Sequence, residues 1–307
     1  MRSSGPLLCL ASAAAFGAMG IFGKLAYEQG ASVGTLLATR FVLAAALFWG
    51  ILACTGGLRG LRALSRRDVG IGLALGAIGY CVQTGAYFAA LERVDASLLG
   101  LLVYTFPVIV TVAAIALGRE TPTRRTAVSL LLASAGLVLV LAGAASGGVD
   151  ALGAALGLAA AVVYSVYILS SEGIAARLGP LVLSTLVCTG AATTLTVAGL
   201  AGGGLAPDRV TAEGWAWLAC LAVVSTVGAI SLFFAGLRRV GPSAASILST
   251  IEPVVTVALA FVVFGESLGP AQLLGGALVL SAVIAIRARL RVRVPDPPQA
   301  SLARSRA

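Results

Sequence analysis

Ten apolar runs, each of roughly the ~20 residues a helix needs to cross a hydrocarbon core, fill most of this chain and leave it one kind of fold. They fall at about 7–27, 33–54, 69–91, 96–118, 126–143, 151–171, 180–200, 214–237, 242–264 and 270–287. In lipid every backbone N–H and C=O has to be satisfied within the protein, so runs of this length are helical. Charged residues are 11% of the 307, against ~25% in soluble domains, too few to clothe a water-soluble protein of this size. The expected class is an all-α polytopic membrane protein with ten transmembrane helices. Arg2 before an apolar run resembles the start of a signal peptide. No clear cleavage site precedes Lys24, however, and nine more runs follow, so 7–27 reads as the first helix.

The chain carries one unit twice. Val94, Ala96–Ser97, Pro107 and Glu120 recur 146 positions later as Val240, Pro242–Ser243, Pro253 and Glu266. Repeated units dictate the architecture before any other feature, and Pro-interrupted segments at matching places in two halves mark a transporter's binding site. The expected division is a first repeat at 1–146, a second at 147–288, and an Arg-, Pro- and Ser-rich tail at 289–307, read as disordered at the cytoplasmic surface. Five helices per repeat means that the second enters the membrane from the opposite face.

Basic residues set the expected orientation. With the N-terminus inside, seventeen arginines fall on the cytoplasmic side and only Arg93 and Arg209 outside. Both termini are therefore expected in the cytoplasm, with the protein multi-pass in the plasma membrane. The net charge of +9 is explained by these short clusters between spans, not by a nucleic-acid surface.

Several chemistries are excluded or lack support. There is no histidine among the 307 residues, which removes the commonest metal ligand and general base. The five cysteines lie in or beside apolar runs without a C-x-x-C, and read as small apolar fillers. No metal, cofactor or nucleotide motif is found; the glycines of 70–76 lie inside a span with no strand before them, unlike a dinucleotide loop. An enzyme acting on lipid would need a catalytic constellation that the spans lack. The remaining reading besides transport is a non-transporting scaffold.

Candidate site residues are the polar and aromatic groups placed within spans. Glu252 is foremost, because an intramembrane carboxylate is costly and is a functional candidate by default. Pro107 and Pro253 are expected to break their helices, Pro253 by freeing the carbonyl of Ser249. Arg40 lies too deep in its span to reach the interface fully, whereas Lys24, four residues from Glu28, can extend to the outer interface. Gln83, Tyr80 and Tyr87 recur at helical spacing with Thr84; Trp49 and Tyr164, with Tyr167, are aromatic candidates. Each has a structural alternative: an ion pair, packing, or an interface anchor. Glu120 and Glu266 read as helix-end caps or pairs. Gly72-x-x-x-Gly76 and Gly153-x-x-x-Gly157 read as close helix contacts.

The duplicated unit, with its early lysine in A-F-G-A-M-G-I-F-G-K, its mid-helix proline and its ends Gly118-Arg119-Glu120 and Gly265-Glu266, resembles the EamA-type family of the drug/metabolite transporter superfamily over nearly the whole chain. The family often has Trp before the glycine of the first helix, where this chain has Phe16–Gly17. The resemblance implies ten helices around a central cavity and export of amino acids or other small metabolites. The resulting expectation is a secondary transporter, a proton-coupled exporter of small polar metabolites such as amino acids. The alternative is an antiporter or facilitator for organic anions, including phosphorylated metabolites. The implied partners are a small-molecule substrate and the bilayer, with a homodimer left open.

Overall fold

The computed structural model describes residues 4–58, 64–118, 123–146 and 149–287, and these are α-helical with short 3₁₀ and π segments and no strand among them. Glu120, the tail at 289–307, and Arg59, Arg62 and Arg119 lie outside the described residues. Helices α1 (Ser4–Gly17) and α2 (Met19–Glu28) form one span, followed by α3 (Val33–Cys54). Next come α4 (Arg66–Ala74), a π segment at Leu75–Tyr80, and α5 (Cys81–Leu91). Helices α6 (Ala96–Val103), α7 (Phe106–Ala116) and α8 (Arg124–Ser146) complete the first half. The second half holds α9 (Ala151–Leu178), α10 (Pro180–Ala201), α11 (Ala212–Ala222) and a π segment at Val223–Gly228. It ends with α12 (Ala229–Leu248), a 3₁₀ turn at Ser249–Ile251, α13 (Glu252–Phe264) and α14 (Pro270–Arg287).

Seven of these stretches are long and apolar enough to cross a membrane, and three shorter apolar helices, Ala127–Ala142, Glu252–Phe264 and Pro270–Ala285, fall on the fifth, ninth and tenth expected segments. One boundary differs from expectation. The sequence places a connection between the eighth and ninth spans near Gly241–Pro242, but α12 runs on to Leu248 and the interruption comes at Ser249–Ile251. Pro242 thus lies within α12, whereas Pro253 stands in the first turn of α13, where its missing N–H costs nothing.

The halves match in their irregularities as well as in sequence. The π segments lie 148 positions apart, at 75–80 and 223–228. Their neighbours match too: α1 packs on α12 and α13 as α9 packs on α5 and α7, and α3 meets α10, α6 meets α13 and α8 meets α14. Close approach depends on glycine at these crossings. A Cβ on Gly76 would collide with the Val187 backbone, and one on Gly190 with that of Leu73. Gly153 and Gly157 similarly lie against Arg93, Val94 and Leu99. The exterior is apolar: Leu131, Val262 and Ile78 are 71%, 77% and 67% exposed, a surface suited to lipid and costly in water.

Candidate functional site

The site is built around two interrupted helices. Pro107 and Pro253 each sit at the start of a helix, α7 and α13, and the chain is non-α-helical just ahead of them, at Tyr104–Thr105 and Ser249–Ile251. A proline cannot donate to the carbonyl four residues back; for Pro253 that is Ser249. The Tyr104 hydroxyl, from the first break, donates to this carbonyl at 2.9 Å. The Glu252 N–H donates to the same carbonyl, so the two breaks face each other and share this acceptor. At the same level the Thr256 hydroxyl bridges the carbonyls of Gly17 and Glu252, at 3.0 and 3.1 Å. A Cβ on Gly17 would lie 2.8 Å from the Glu252 carbonyl oxygen, so only glycine lets α1 come this close.

Two chambers meet at the breaks. The larger, of about 410 Å³, is lined by α9, α10 and α12 residues including Tyr167, Ser184, Cys188, Phe233 and Phe234, and extends to Pro180 at the α9–α10 junction. The smaller, of about 120 Å³, is lined by Met19, Arg40, Gln83, Thr84, Tyr87, Pro253 and Thr256 among others. Phe16, Tyr80, Tyr104, Phe106, Tyr164 and Glu252 line both. Five aromatic rings and one carboxylate thus form the collar between them. Four of these rings form a chain through Tyr167 of the large chamber: Tyr80 with Tyr167, Tyr167 with Tyr164, Tyr164 with Phe106 and Phe106 with Tyr104, at centroid distances of 4.7–6.3 Å.

Arg40 is the buried cation of the small chamber, 2% exposed. Its Nε donates to Thr226 Oγ1 at 2.9 Å and its Nη1 to Thr84 Oγ1 at 3.3 Å. The guanidinium packs over Phe41 and Phe88, 5.0 and 5.4 Å from their centroids, and Tyr80 lines the same chamber. Thr226 belongs to the second π segment, where its hydroxyl donates back to Leu221, so the widened turn is what aims it at Arg40. Hydroxyls are neutral acceptors, and these contacts engage at most three of the five guanidinium N–H donors.

Of the candidates taken from sequence, Glu252, Arg40, Gln83, Tyr80, Tyr87 and Tyr164 converge on these chambers. Two stand elsewhere. Trp49 donates its indole N–H to Thr189 at 3.0 Å, joining α3 to α10. Lys24 pairs with Glu266 at 2.6 Å and Asp95 at 3.4 Å. Glu266, 6% exposed, also accepts from the Ala96 and Ser97 N–H groups and the Ser97 hydroxyl at 2.9–3.2 Å. It therefore caps α6 of the other half, where the local residue Asp95 provides no side-chain cap. Gly265, with φ of +68°, turns the chain there. Burial works against ionisation of Glu266, but the Lys24 ammonium and the Ser97 donors outweigh it and hold the carboxyl below its ordinary value. Two exposed pairs, Arg93–Asp150 and Arg177–Asp68, also bridge the halves but contribute little.

Sequence reasoning passed over Tyr104, Phe106, Phe233, Phe234 and Thr226 as site residues, and assigned Phe16 no role. For Tyr104 and Phe106 a signal existed, since both adjoin the first break and Phe106 occupies the repeat position of Glu252. For Phe233, Phe234 and Thr226 none did, because aromatic and hydroxyl residues within spans are ordinarily packing.

The family model of the EamA-like transporter family matches the chain twice, at residues 3–142 and 151–288. An uncharacterized transporter of Archaeoglobus fulgidus is 28% identical over 229 residues, covering 71% of this chain and 78% of its own. The uncharacterized transporters YcbK and YetK of Bacillus subtilis are 26% and 25% identical, covering 89% and 92% of this chain and 89% and 86% of their own. A solved crystal structure aligns over 95% of this chain and all of its own with a TM-score of 0.65 at 19% identity, a likeness of fold alone. The chain belongs to the EamA-like transporter family and is a multi-pass membrane transporter.

Proposed function

We propose that this protein is a secondary active transporter that couples the passage of a small zwitterionic metabolite, such as an amino acid, to protons, working as an exporter. The observation that carries the reading is the placement of one buried cation, Arg40, and one carboxylate, Glu252, on the same small chamber. A zwitterion brings a charge complementary to each. The Lys24–Glu266 pair engages Lys24 away from this chamber. Among the described residues lining it an organic dianion or phosphorylated metabolite would find one cation, Arg40, which disfavours the antiporter alternative. Glu252 stands at the collar where both chambers can exchange a proton with it.

Support for the architecture comes from the doubled family match and the paired irregularities: ten spans, two five-helix repeats at 1–146 and 147–288 in opposite orientation, and both termini in the cytoplasm of a cell membrane. Reporters fused after Arg67, Arg125 and Arg239 are expected inside and one after Pro207 outside; an external reporter at Arg125 contradicts the orientation. Function is tested by flux into liposomes from a metabolite panel with and without a pH gradient. The expected result is uphill movement of a zwitterion only when the gradient is imposed. Movement indifferent to the gradient removes the coupling, and no movement of any solute removes transport.

A further inference from the structure

We propose that the groove between α13 and α14, on the outside of the bundle, holds one membrane phospholipid, with an acyl chain along the groove and its ester and phosphate oxygens at Gln272 and Ser267. This site lies outside both chambers and depends only on the chain's crossing a membrane.

The last two helices diverge. α13 packs on α6 and α1, whereas α14 packs along α8. The groove left between them, of about 540 Å³, is walled by two facing stripes at helical spacing: Pro253, Val257 and Phe261 on α13, and Leu273, Ala277 and Leu280 on α14. Val254, Phe261 and Leu273 on its walls are exposed, so the groove opens on lipid.

Its dimensions suit one chain. From Pro253 to Phe264 a helix rises about 17 Å, close to half of a ~30 Å hydrocarbon core. One acyl chain fills that depth. Spread over this length, about 540 Å³ makes a channel about 6 Å across, much narrower than the ~10–12 Å of a helix with its side chains. A lipid tail fits there, and a helix from a second copy does not.

Polarity is confined to one end. The stripes are apolar throughout, while Glu266, Ser267 and Gln272 stand together at the turn between the helices. Gln272 accepts from the Gly269 N–H at 2.8 Å through its side-chain oxygen, which leaves its NH2 to donate. The Glu266 carboxylate already accepts from Lys24, from the N–H groups of Ala96 and Ser97, and from the Ser97 hydroxyl, so it does not hold an ammonium. Neutral donors recognise ester and phosphate oxygens, which every phospholipid carries. The site therefore selects for a chain and not for a head group. At the far end Pro253 also lines the small chamber, so the seated tail packs against the second helix break from its lipid side.

The test is native mass spectrometry of the purified full chain in detergent, with palmitoyl-oleoyl phosphatidylethanolamine, phosphatidylglycerol or phosphatidylcholine added. One phospholipid is expected to stay bound per chain, with the three head groups differing by less than about threefold. Ala258→Trp and Ala277→Trp fill the middle of the groove from either wall, and each should weaken retention about tenfold or more. Leu131→Trp, on the exposed face of α8, should not. A phosphatidylcholine with a diazirine at its chain end then locates the tail in the wild type, with photoadducts expected at Pro253, Val254 or Leu280. The proposal is overturned if no lipid is retained, if only one head group is retained, or if the groove variants hold lipid as Leu131→Trp does. Adducts scattered around the exterior, as for annular lipid only, overturn it too. So does a dimer that sheds lipid on forming and is broken by Ala258→Trp, which makes a second copy the occupant. Should the groove variants fail to fold, the wild-type adducts decide.

Discussion

The two helix breaks are the same device built twice, with different chemistry at one position. Ahead of Pro107 stands Phe106; ahead of Pro253, 146 positions on, stands Glu252, and both line both chambers. The backbone geometry recurs, but the first break contributes a ring and the second a charge. Duplication thus supplied a widened, partly unwound centre in each half, while the charge was placed once. Two carboxylates across one collar would repel, and one would remain protonated. The hydrogen bonds do not share this asymmetry, because each break receives a hydroxyl from the opposite half. At the first, Thr105 donates to the Leu102 carbonyl and Ser165 of the second half to that of Phe106. At the second, Tyr104 of the first half donates to the Ser249 carbonyl.

The largest expected effect is at Glu252. Glu252→Gln keeps shape and hydrogen bonding but cannot titrate, so gradient-driven accumulation should fall to the level seen without a gradient while substrate exchange persists. Phe106→Leu, at the matching position, should leave coupling intact. Equal loss of coupling in the two variants would erase the distinction between the breaks. Tyr104→Phe comes next. It removes the tyrosine donor while the Glu252 N–H still donates to the Ser249 carbonyl, and thermal unfolding in detergent should register a loss of up to about 1.5 kcal/mol; an unchanged midpoint would show that the breaks do not support one another.

Much of the site was legible because charge in lipid is rare. Glu252 and Arg40 stand out against an apolar background, and Pro107 and Pro253 announce where helices are interrupted. The all-helical, membrane-spanning class was legible from run length. The rest was hidden for identifiable reasons. Sequence shows that Lys24 can reach the outer interface and Arg40 cannot, but only tertiary structure reveals that Glu266 arrives from 242 positions away to take Lys24. The π segments carry no sequence signature, so Thr226 could not be aimed at Arg40 in advance. Phe233 and Phe234 read as packing until α12 is seen to line the chamber.

Smaller effects concern the tie between halves. Glu266→Gln weakens the cap on α6 and the Lys24 pair and should cost about 1–2 kcal/mol. Its carboxyl is held below the ordinary value of 4.5, so the contribution is full above that pH and is lost as the pH falls through the folded-state value. Wild-type stability should therefore drop more steeply below pH 4.5 than that of Glu266→Gln; parallel acid curves would remove the linkage. Smallest of all, Trp49→Phe deletes one hydrogen bond to Thr189 outside both chambers, and should cost about 1 kcal/mol with flux unchanged. Impaired flux would bring the α3–α10 seam into the site.

The most direct measurement is chemical modification of the intramembrane carboxyl. Purified protein in lipid is treated with dicyclohexylcarbodiimide, an apolar reagent for protonated carboxyls, and the adduct is located by mass spectrometry across a range of pH. A chamber-facing, titrating Glu252 predicts an adduct on Glu252 that fades as the pH rises, no adduct on Glu266, and no intramembrane labelling in Glu252→Gln. Labelling of Glu266 in preference, or a Glu252 that stays unmodified at every pH, would contradict the assignment of the second break as the coupling centre.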